Sequence, residues 1–481
     1  MSEYNTLLAV ATNILFTIAL GLYLITNLQW YSYKIERVVL KHHKPLWHLF
    51  YFLIPFFLYY MAGNYFVVFF YFFYLPALLL WYKKLDKKLV FTGRVQRFFS
   101  LVLFINIFSN YLCFLKATCA TYGVFLPLAL AWLGSLAIER YLFLLYKKEA
   151  KRKLRKNQSL EVIAVTGSFG KTSIKNFIYE LLSTQYNCQK TPRSVNTEAG
   201  LIRDINENLN DDTTLYIAEA GARERGDIYT IATFLEPECA VVNKVGYAHI
   251  EYFKSLENII RTKLEIISSP RLKKAFVHKS LTNEPHENVE FFEDLQNVEA
   301  TLNGLSFTIL LDDKELVCNV PNILGTFQAT NIAVAIKVAH YYGMSFDAIK
   351  KALKNLKPVE HRLQKIEAMG KIILDDGYNG NLEGMKEAFR LCSLHKGDKV
   401  VVTPGLVESS EELNLELIAS INELFDLVIV TGKLNSELFK NHLNIPKTIF
   451  CSDKKDLQNI LAEHTKSGDI ILFANDAPNF I

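Results

Sequence analysis

Thr166, Gly167, Ser168, Phe169, Gly170, Lys171, Thr172 and Ser173 stand in a row, and this spacing of small residues, a lysine and a hydroxyl suits the binding of a polyphosphate. The glycines let the backbone turn tightly enough for its N–H groups to converge on phosphate oxygens. Lys171 is placed to reach the β- and γ-phosphates, and the Thr172 hydroxyl to reach a Mg2+ ion bound with them. The longer form of such loops has one more glycine five residues before Gly170. Val165 stands there, so this is the shorter TGSxGKT pattern. Further on, Glu219 closes an apolar run, and a carboxylate at a strand end beside a phosphate loop can hold Mg2+ directly or through water. His249 in Gly246-Tyr247-Ala248-His249-Ile250-Glu251 and Lys263 in Arg261-Thr262-Lys263-Leu264-Glu265 also carry chemistry. Taken singly, the first reads as a polar loop residue and the second as a solvated helix lysine.

The loop needs a strand before it and a helix after it. Val162 to Val165 is an apolar β-type run, and Ile174, Phe177, Ile178, Leu181 and Leu182 recur at helix-face spacing. The positive end of that helix then lies behind the phosphate site. Leu215 to Ala218 and Ala240 to Asn243 read as further short, buried strands. Toward the C-terminus, strand candidates at Ile372 to Leu374, Val400 to Val402, Leu427 to Val430, Thr448 to Phe450 and Ile470 to Phe473 alternate with amphipathic runs such as Met385 to Leu394 and Leu413 to Phe425. That alternation predicts a small Rossmann-like sheet. No G-x-G-x-x-G occurs in it, so dinucleotide binding is not implied.

Aromatic residues make up 13% of the 481, high for a soluble protein, and the excess lies in the first 146 positions. Leu7 to Leu28 is an uncharged run of bilayer-crossing length. Leu46 to Tyr82 is split by Ala62-Gly63-Asn64 into two short spans, and Phe98 to Leu115 and Val124 to Ile138 follow, the last ending in Glu139-Arg140, charges expected at the interface or against neighbouring helices. Lysines and arginines cluster at 34–44, 83–97 and 147–156, so five spans with the N-terminus outside put every basic loop in the cytoplasm. The segment 147–156 is read as topogenic and lipid-facing. With a net charge of only +4, nothing points to nucleic acid. The seven cysteines show neither disulfide nor metal spacing, which suits a reducing cytosol for the part that carries the loop.

TGSFGKT, VNTEAG, EAGA, NKVGYAHIE and TKLE, in this order, resemble the central ATPase domain of the Mur ligases, the ATP-dependent enzymes that build the peptidoglycan stem. The likeness continues with Gly325-Thr326-Phe327-Gln328-Ala329-Thr330-Asn331, with His361-Arg362 in place of a Gly-Arg segment, and with Asp376-Gly377-Tyr378-Asn379-Gly380-Asn381, which is similar to the signature of the branch that adds D-alanyl-D-alanine. The resemblance implies ATP and Mg2+ as cofactors. Thr166 to Ser173 would bind the nucleotide, Thr172 and Glu219 the first metal, and His249 the second. Lys263 would join the second metal as a carbamate formed with carbon dioxide. Asn331 would read the adenine, Arg362 clamp the γ-phosphate, and Asp376 sit at the ribose and hinge. Asn196, Thr197, Glu198, Tyr378, Asn379 and Asn381 would face substrate.

The expected fold class is thus α/β. A membrane region at 1–146 leads through a basic cytoplasmic linker at 147–157 to a phosphate-loop central domain at 158–362 and a Rossmann-like domain at 363–481. The expected function is an amide ligase that adds D-alanyl-D-alanine to UDP-N-acetylmuramoyl-tripeptide through an acyl phosphate. It would work from a multi-pass position in a bacterial inner membrane, with room for contact with other membrane-stage cell-wall enzymes. The alternative is a membrane-bound ligase of the same kind acting on another or a lipid-linked acid. Three departures bear on that choice: membrane spans replace the family's uridine-binding domain, Phe327 and Gln328 replace His and Asn, and the chain ends GDIILFANDAPNFI without a Lys-Gly-Ser-Arg segment. A transporter ATPase would show an LSGGQ-like signature, and none is present.

Overall fold

The computed structural model describes residues 3–40, 42–85, 87–116, 123–246, 250–282, 286–293, 295–407 and 409–476. It divides into two compact units, Met1–Leu145 and Tyr146–Ile481.

Among the described residues, four helices are long and apolar enough to cross a membrane, Leu7–Trp30, Tyr65–Lys83, Gly93–Leu115 and Phe125–Lys156, with a shorter apolar helix at Leu46–Met61. The turn between Leu46–Met61 and Tyr65–Lys83 falls at Ala62-Gly63-Asn64, with Gly63 at φ 54°. The π-helical turns Leu49–Leu53 and Phe70–Tyr74 lie directly ahead of Pro55 and Pro76. Proline lacks the N–H for the helical bond, and a wider turn absorbs its ring without ending the helix.

Phe16, Leu20, Phe66, Phe70 and Phe98 form the centre of the first unit. Several polar groups there satisfy one another, as an apolar surrounding favours. Asn13 Nδ2 donates to the Tyr59 hydroxyl (2.6 Å), Asn106 Nδ2 to Thr17 Oγ1 (2.8 Å) and Asn110 Nδ2 to Asn13 Oδ1 (3.1 Å). Glu139 meets a neighbouring helix by accepting from Arg97 Nε at 2.8 Å. On the outside, Phe72, Phe73, Phe104 and Phe114 are exposed, an apolar surface that water alone does not favour. Cys113 is disulfide-bonded, a pairing that the scattered spacing did not bring out, whereas Cys188, Cys239, Cys318, Cys392 and Cys451 of the second unit are free.

In the second unit, β1 (Glu161–Thr166), β2 (Cys188–Lys190), β3 (Leu215–Glu219), β4 (Cys239–Val242), β5 (Lys274–His278) and β6 (Val289–Phe292) form a parallel sheet in the order β2-β3-β1-β4-β5-β6. The first strand therefore has later strands on both sides, and a crevice opens at their carboxyl ends. Register pairs Val165 with Glu219 and Thr166 with Val242, so the phosphate loop and the strand-end carboxylate leave the sheet side by side. Ile163, Val165, Phe177, Ile178 and Leu181 pack the helix Lys171–Leu182 onto the sheet.

A three-stranded antiparallel sheet follows, made of β7 (Leu295–Thr301), β8 (Gly304–Leu311) and β9 (Lys314–Pro321). Its signal was present but unread. Leu305, Phe307, Ile309 and Leu311 alternate inward, and Asp312-Asp313, at φ 47° and 59°, make the two-residue turn between paired Leu311 and Lys314.

The C-terminal sheet contains β10 (Gln364–Ala368), β11 (Lys371–Asp376), β12 (Lys399–Thr403), β13 (Leu427–Thr431), β14 (Thr448–Cys451) and β15 (Ile470–Ala474), ordered β10-β11-β15-β12-β13-β14. The five strands expected from the sequence are parallel, and the additional β10 is an antiparallel edge.

The lipid-facing reading of 147–156 is corrected. These residues end the helix Phe125–Lys156, and carboxylates remote in sequence take up their charge. Lys147 Nζ lies 2.5 Å from Glu198, Lys151 Nζ 3.3 Å and Arg155 Nη2 2.9 Å from Glu236, and Lys156 Nζ 2.7 Å from Asp211. Lys153 Nζ donates to the Asn206 carbonyl at 2.5 Å. Each half-exposed pair is worth little alone, but four in ten residues, with the Lys153 hydrogen bond, fix the segment's seat.

Candidate active site

The phosphate loop is braced from behind. Gly167 has φ 145° and Gly170, the N-cap of the helix Lys171–Leu182, has φ 74°. Asn243, just past β4, donates to the Phe169 carbonyl (3.1 Å) and to Asn331 Oδ1 (3.0 Å), and Asn331 Nδ2 donates to Gln328 Oε1 (2.8 Å). Both amide atoms of Asn331 are thus engaged by the protein. Thr166 Oγ1 donates to the Ala220 carbonyl at 2.8 Å, Ser168 Oγ to the Gly246 carbonyl at 3.2 Å, and Ser173 is buried. A Cβ on Gly170 would stand 2.4 Å from Asn331 Oδ1 and 2.6 Å from Asn243 Nδ2. Gly170→Ala is therefore expected to lower stability by about 2–3 kcal/mol, from a left-handed φ and this clash together. Thermal melts of the two proteins check this, and coincident curves would contradict it.

Charged groups gather around Glu219, which is buried at the end of β3. Its carboxylate accepts from Thr172 Oγ1 (2.9 Å) and from Asn196 Nδ2 (3.0 Å). Lys171 turns back on its own loop, donating to the Gly167 (2.9 Å) and Ser168 (3.0 Å) carbonyls. Burial pushes its pKa down, Glu219 opposes the shift and Arg362 adds to it.

Lys175 escaped the sequence reading. It is 1% exposed, its Nζ is 3.6 Å from Glu219 Oε2, and it bonds the Arg193 carbonyl. The signal was its place four residues after Lys171, one turn along the same helix face.

Lys263 lies in the helix Leu256–Leu264 and is 4% exposed, which corrects the solvated reading. Burial lowers its pKa to about 7, Lys171 adding to the shift while Asp227, Glu265 and Glu219 oppose it. Glu265 accepts from the Gly226 (3.0 Å) and Tyr229 (3.0 Å) N–H groups, which anchors the end of this helix against the helix Asp227–Leu235.

Arg362 Nη1 donates to the Tyr378 carbonyl at 2.5 Å, and burial lowers its pKa against the pull of Asp376 and Glu219. His361 before it takes φ 58°, the left-handed conformation that suits the glycine of the Gly-Arg pattern, and its Nδ1 sits 2.7 Å from Asp375 Oδ2. Asp376 is buried, its pKa raised to about 7 by that burial against the Asn379 hydrogen bond (2.7 Å) and the Arg362 charge.

The residues expected to face substrate divide. Tyr378 is exposed, whereas Asn379 and Asn381 bond each other and Asn381 caps the helix Leu382–Ser393 by accepting from Gly384 N–H at 2.8 Å. Asn196 belongs to the Glu219 cluster, Thr197 caps the helix Glu198–Asn208, and Glu198 is held by Lys147. His249 lies outside the described residues. Among the described residues no group of three or more His, Cys, Asp or Glu forms a metal site. The Thr172 hydroxyl and Glu219 carboxylate, hard oxygen donors already 2.9 Å apart, nevertheless suit Mg2+.

Lys171, Lys175, Lys263 and Arg362 converge near Glu219, and a set of cations gathered at a phosphate loop invites a polyanion. The fold and the loop define a nucleotide-using enzyme, and comparison with known proteins says of which kind. Residues 165–339 match the family model of the Mur ligase middle domain. The UDP-N-acetylmuramoyl-tripeptide–D-alanyl-D-alanine ligase of Bacillus subtilis (strain 168) is 30% identical over 335 residues, 65% of this chain and 72% of that protein. The chain belongs to the Mur ligase family and is an ATP-dependent ligase that works with Mg2+. The ligase of the same name from Escherichia coli (strain K12) is 28% identical, over 54% of this chain and 61% of its own length. The structure of the MurF ligase of Thermotoga maritima in complex with ADP superposes with TM-score 0.60 at 29% identity, covering 69% of this chain and 80% of that one.

Proposed function

We propose that this chain joins D-alanyl-D-alanine to UDP-N-acetylmuramoyl-tripeptide, from a multi-pass seat in a bacterial inner membrane with its catalytic domains in the cytoplasm. The observation that carries the reading is the cluster in which Lys171 and Thr172, after β1, and Glu219, at the end of β3, are joined by Lys263 and Arg362. Gly167 to Thr172 hold the triphosphate on backbone N–H groups, with Lys171 moving from its loop carbonyls to the β- and γ-phosphates. Thr172 and Glu219 hold Mg2+, which supplies charge neutralisation when bound. His249 and carbamylated Lys263 are assigned to a second ion and Asp376 to the adenosine end, whereas Asn331, its amide engaged by Asn243 and Gln328 behind Gly170, is assigned to bracing the phosphate loop rather than to the adenine.

The acceptor carboxylate attacks the γ-phosphorus, the bond from that phosphorus to the β–γ bridging oxygen breaks and ADP leaves, and Lys171 and Arg362 make the approach of two anions tolerable. The dipeptide amine then attacks the acyl phosphate carbonyl, and phosphate leaves as the amide forms. The domain at 363–481 presents the dipeptide, and its closure over the domain at 158–362 keeps water from the acyl phosphate. A second reading, a lipid-linked acceptor, is favoured by one observation: helices of membrane-spanning length occupy the region before 147, where the family resemblance calls for a uridine-binding domain.

The deciding assay is phosphate release by the detergent-purified chain given ATP and Mg2+, with the UDP-linked tripeptide and D-alanyl-D-alanine supplied singly and together. Release that requires both is expected. Silence with the UDP-linked acceptor, but turnover with a lipid-linked muropeptide, would move the substrate to the membrane.

A further inference from the structure

A cavity of about 760 Å³ lies within the first unit. Three of the chain's four tryptophans, Trp30, Trp47 and Trp81, line it. They form a built wall. Trp47 and Trp81 meet edge to face at 5.7 Å, and Trp30 Nε1 donates to the Lys87 carbonyl at 2.9 Å. Gln29 exchanges two hydrogen bonds of 2.9 Å with the backbone of Val90, which pins the segment after Lys84 to the first helix.

The other lining groups are of opposite character. Lys44, Lys84 and Lys87 are exposed at the cavity, and none forms an ion pair with another described residue, although Lys44 Nζ stands 4.7 Å above the Trp47 ring. Ala77, Leu80 and Leu85 continue the lining as hydrocarbon. Lys84 caps the helix ending at Lys83, and Lys44 precedes Leu46–Met61, so these cations sit at the ends of apolar helices, the place where a membrane-spanning helix meets lipid headgroups.

Three uncompensated cations ask for an anion, and an aromatic wall running into hydrocarbon asks for an alkyl chain on it. We propose that this cavity binds an anionic membrane lipid, its phosphate among Lys44, Lys84 and Lys87 and the first carbons of its chain against Trp30, Trp47 and Trp81. Free phosphate would leave the wall unfilled, and a zwitterionic lipid would bring its own cation against the three lysines. The inference rests on the membrane seat proposed above.

The tryptophans report occupancy directly. The full chain in a neutral detergent is titrated with dioctanoyl phosphatidic acid, and a saturable change in tryptophan fluorescence is expected. Dioctanoyl phosphatidylcholine and inorganic phosphate at equal concentration should give none. In the triple variant Lys44→Gln, Lys84→Gln, Lys87→Gln, binding should weaken on the order of a hundredfold, about fivefold per lysine. Equal affinity in the triple variant, an equal response to phosphatidylcholine, or displacement of the lipid by inorganic phosphate would overturn the proposal. Membrane seating is read separately, by retention in carbonate-washed membranes. A chain that washes off yet binds the lipid saturably keeps the cavity and sinks the seat; one that is retained without binding does the reverse.

Discussion

Lys171→Ala is expected to lose ATP-dependent ligation on the order of a thousandfold while remaining folded. The resting side chain shows why the two effects separate. Its ammonium group bonds only the neutral carbonyls of Gly167 and Ser168, each worth about 1 kcal/mol net, so removing them costs a few degrees of melting temperature at most. The same group is partly buried beside Glu219 and Arg362, where its charge can be aimed at a transferring phosphoryl group. Paired measurements of melting temperature and of phosphate release with both substrates test this. Activity that falls only in proportion to the folded fraction would remove Lys171 from the chemistry.

Lys263→Ala is expected to cost a hundredfold or more, and the wild type should depend on dissolved carbon dioxide. Carbamate formation consumes a neutral amine and releases a proton. Burial, seconded by the Lys171 charge, brings the Lys263 pKa to about 7, so about half the amine is neutral at that pH and only about a tenth one unit lower. Activity should thus fall with acidification below pH 7, and fall further when carbon dioxide is stripped. Labelled carbon dioxide should give a carbamate resonance in the wild type that Lys263→Ala lacks. Full activity without carbon dioxide, together with no such resonance, would end the assignment. The stability contribution has a defined sign: between about 7 and the ordinary lysine value of 10.5 the unfolded chain holds a proton that the folded one has lost, so this group makes folding more favourable as pH rises through that window.

What could be read from the sequence was local. The strand, loop and helix around Gly170 and the five parallel strands of the last domain announce themselves through neighbours in the chain, in apolar runs and periodic faces. Asn243 and Gln328 were harder, because their work depends on β4 lying beside β1 and on a helix remote in sequence reaching the same glycine. Lys175 looked like any exposed helix lysine until the burial of Glu219 gave it a partner. His361 explains how a Gly-Arg pattern survives without its glycine: the left-handed turn remains, held by Asp375.

The ion pairs of 147–156 bear on where the chain can be cut. Hydropathy puts the soluble part at Gln158, yet the preceding ten residues, nearly three helical turns, neutralise Glu198, Glu236 and Asp211 on that part's own surface. A shortened enzyme beginning at Gln158 would expose bare acidic patches, one of them a residue away from Thr197, while one beginning at Tyr146 keeps its collar. The seam between the apolar first unit and the ligase unit therefore runs through a helix, Phe125–Lys156, rather than between two elements.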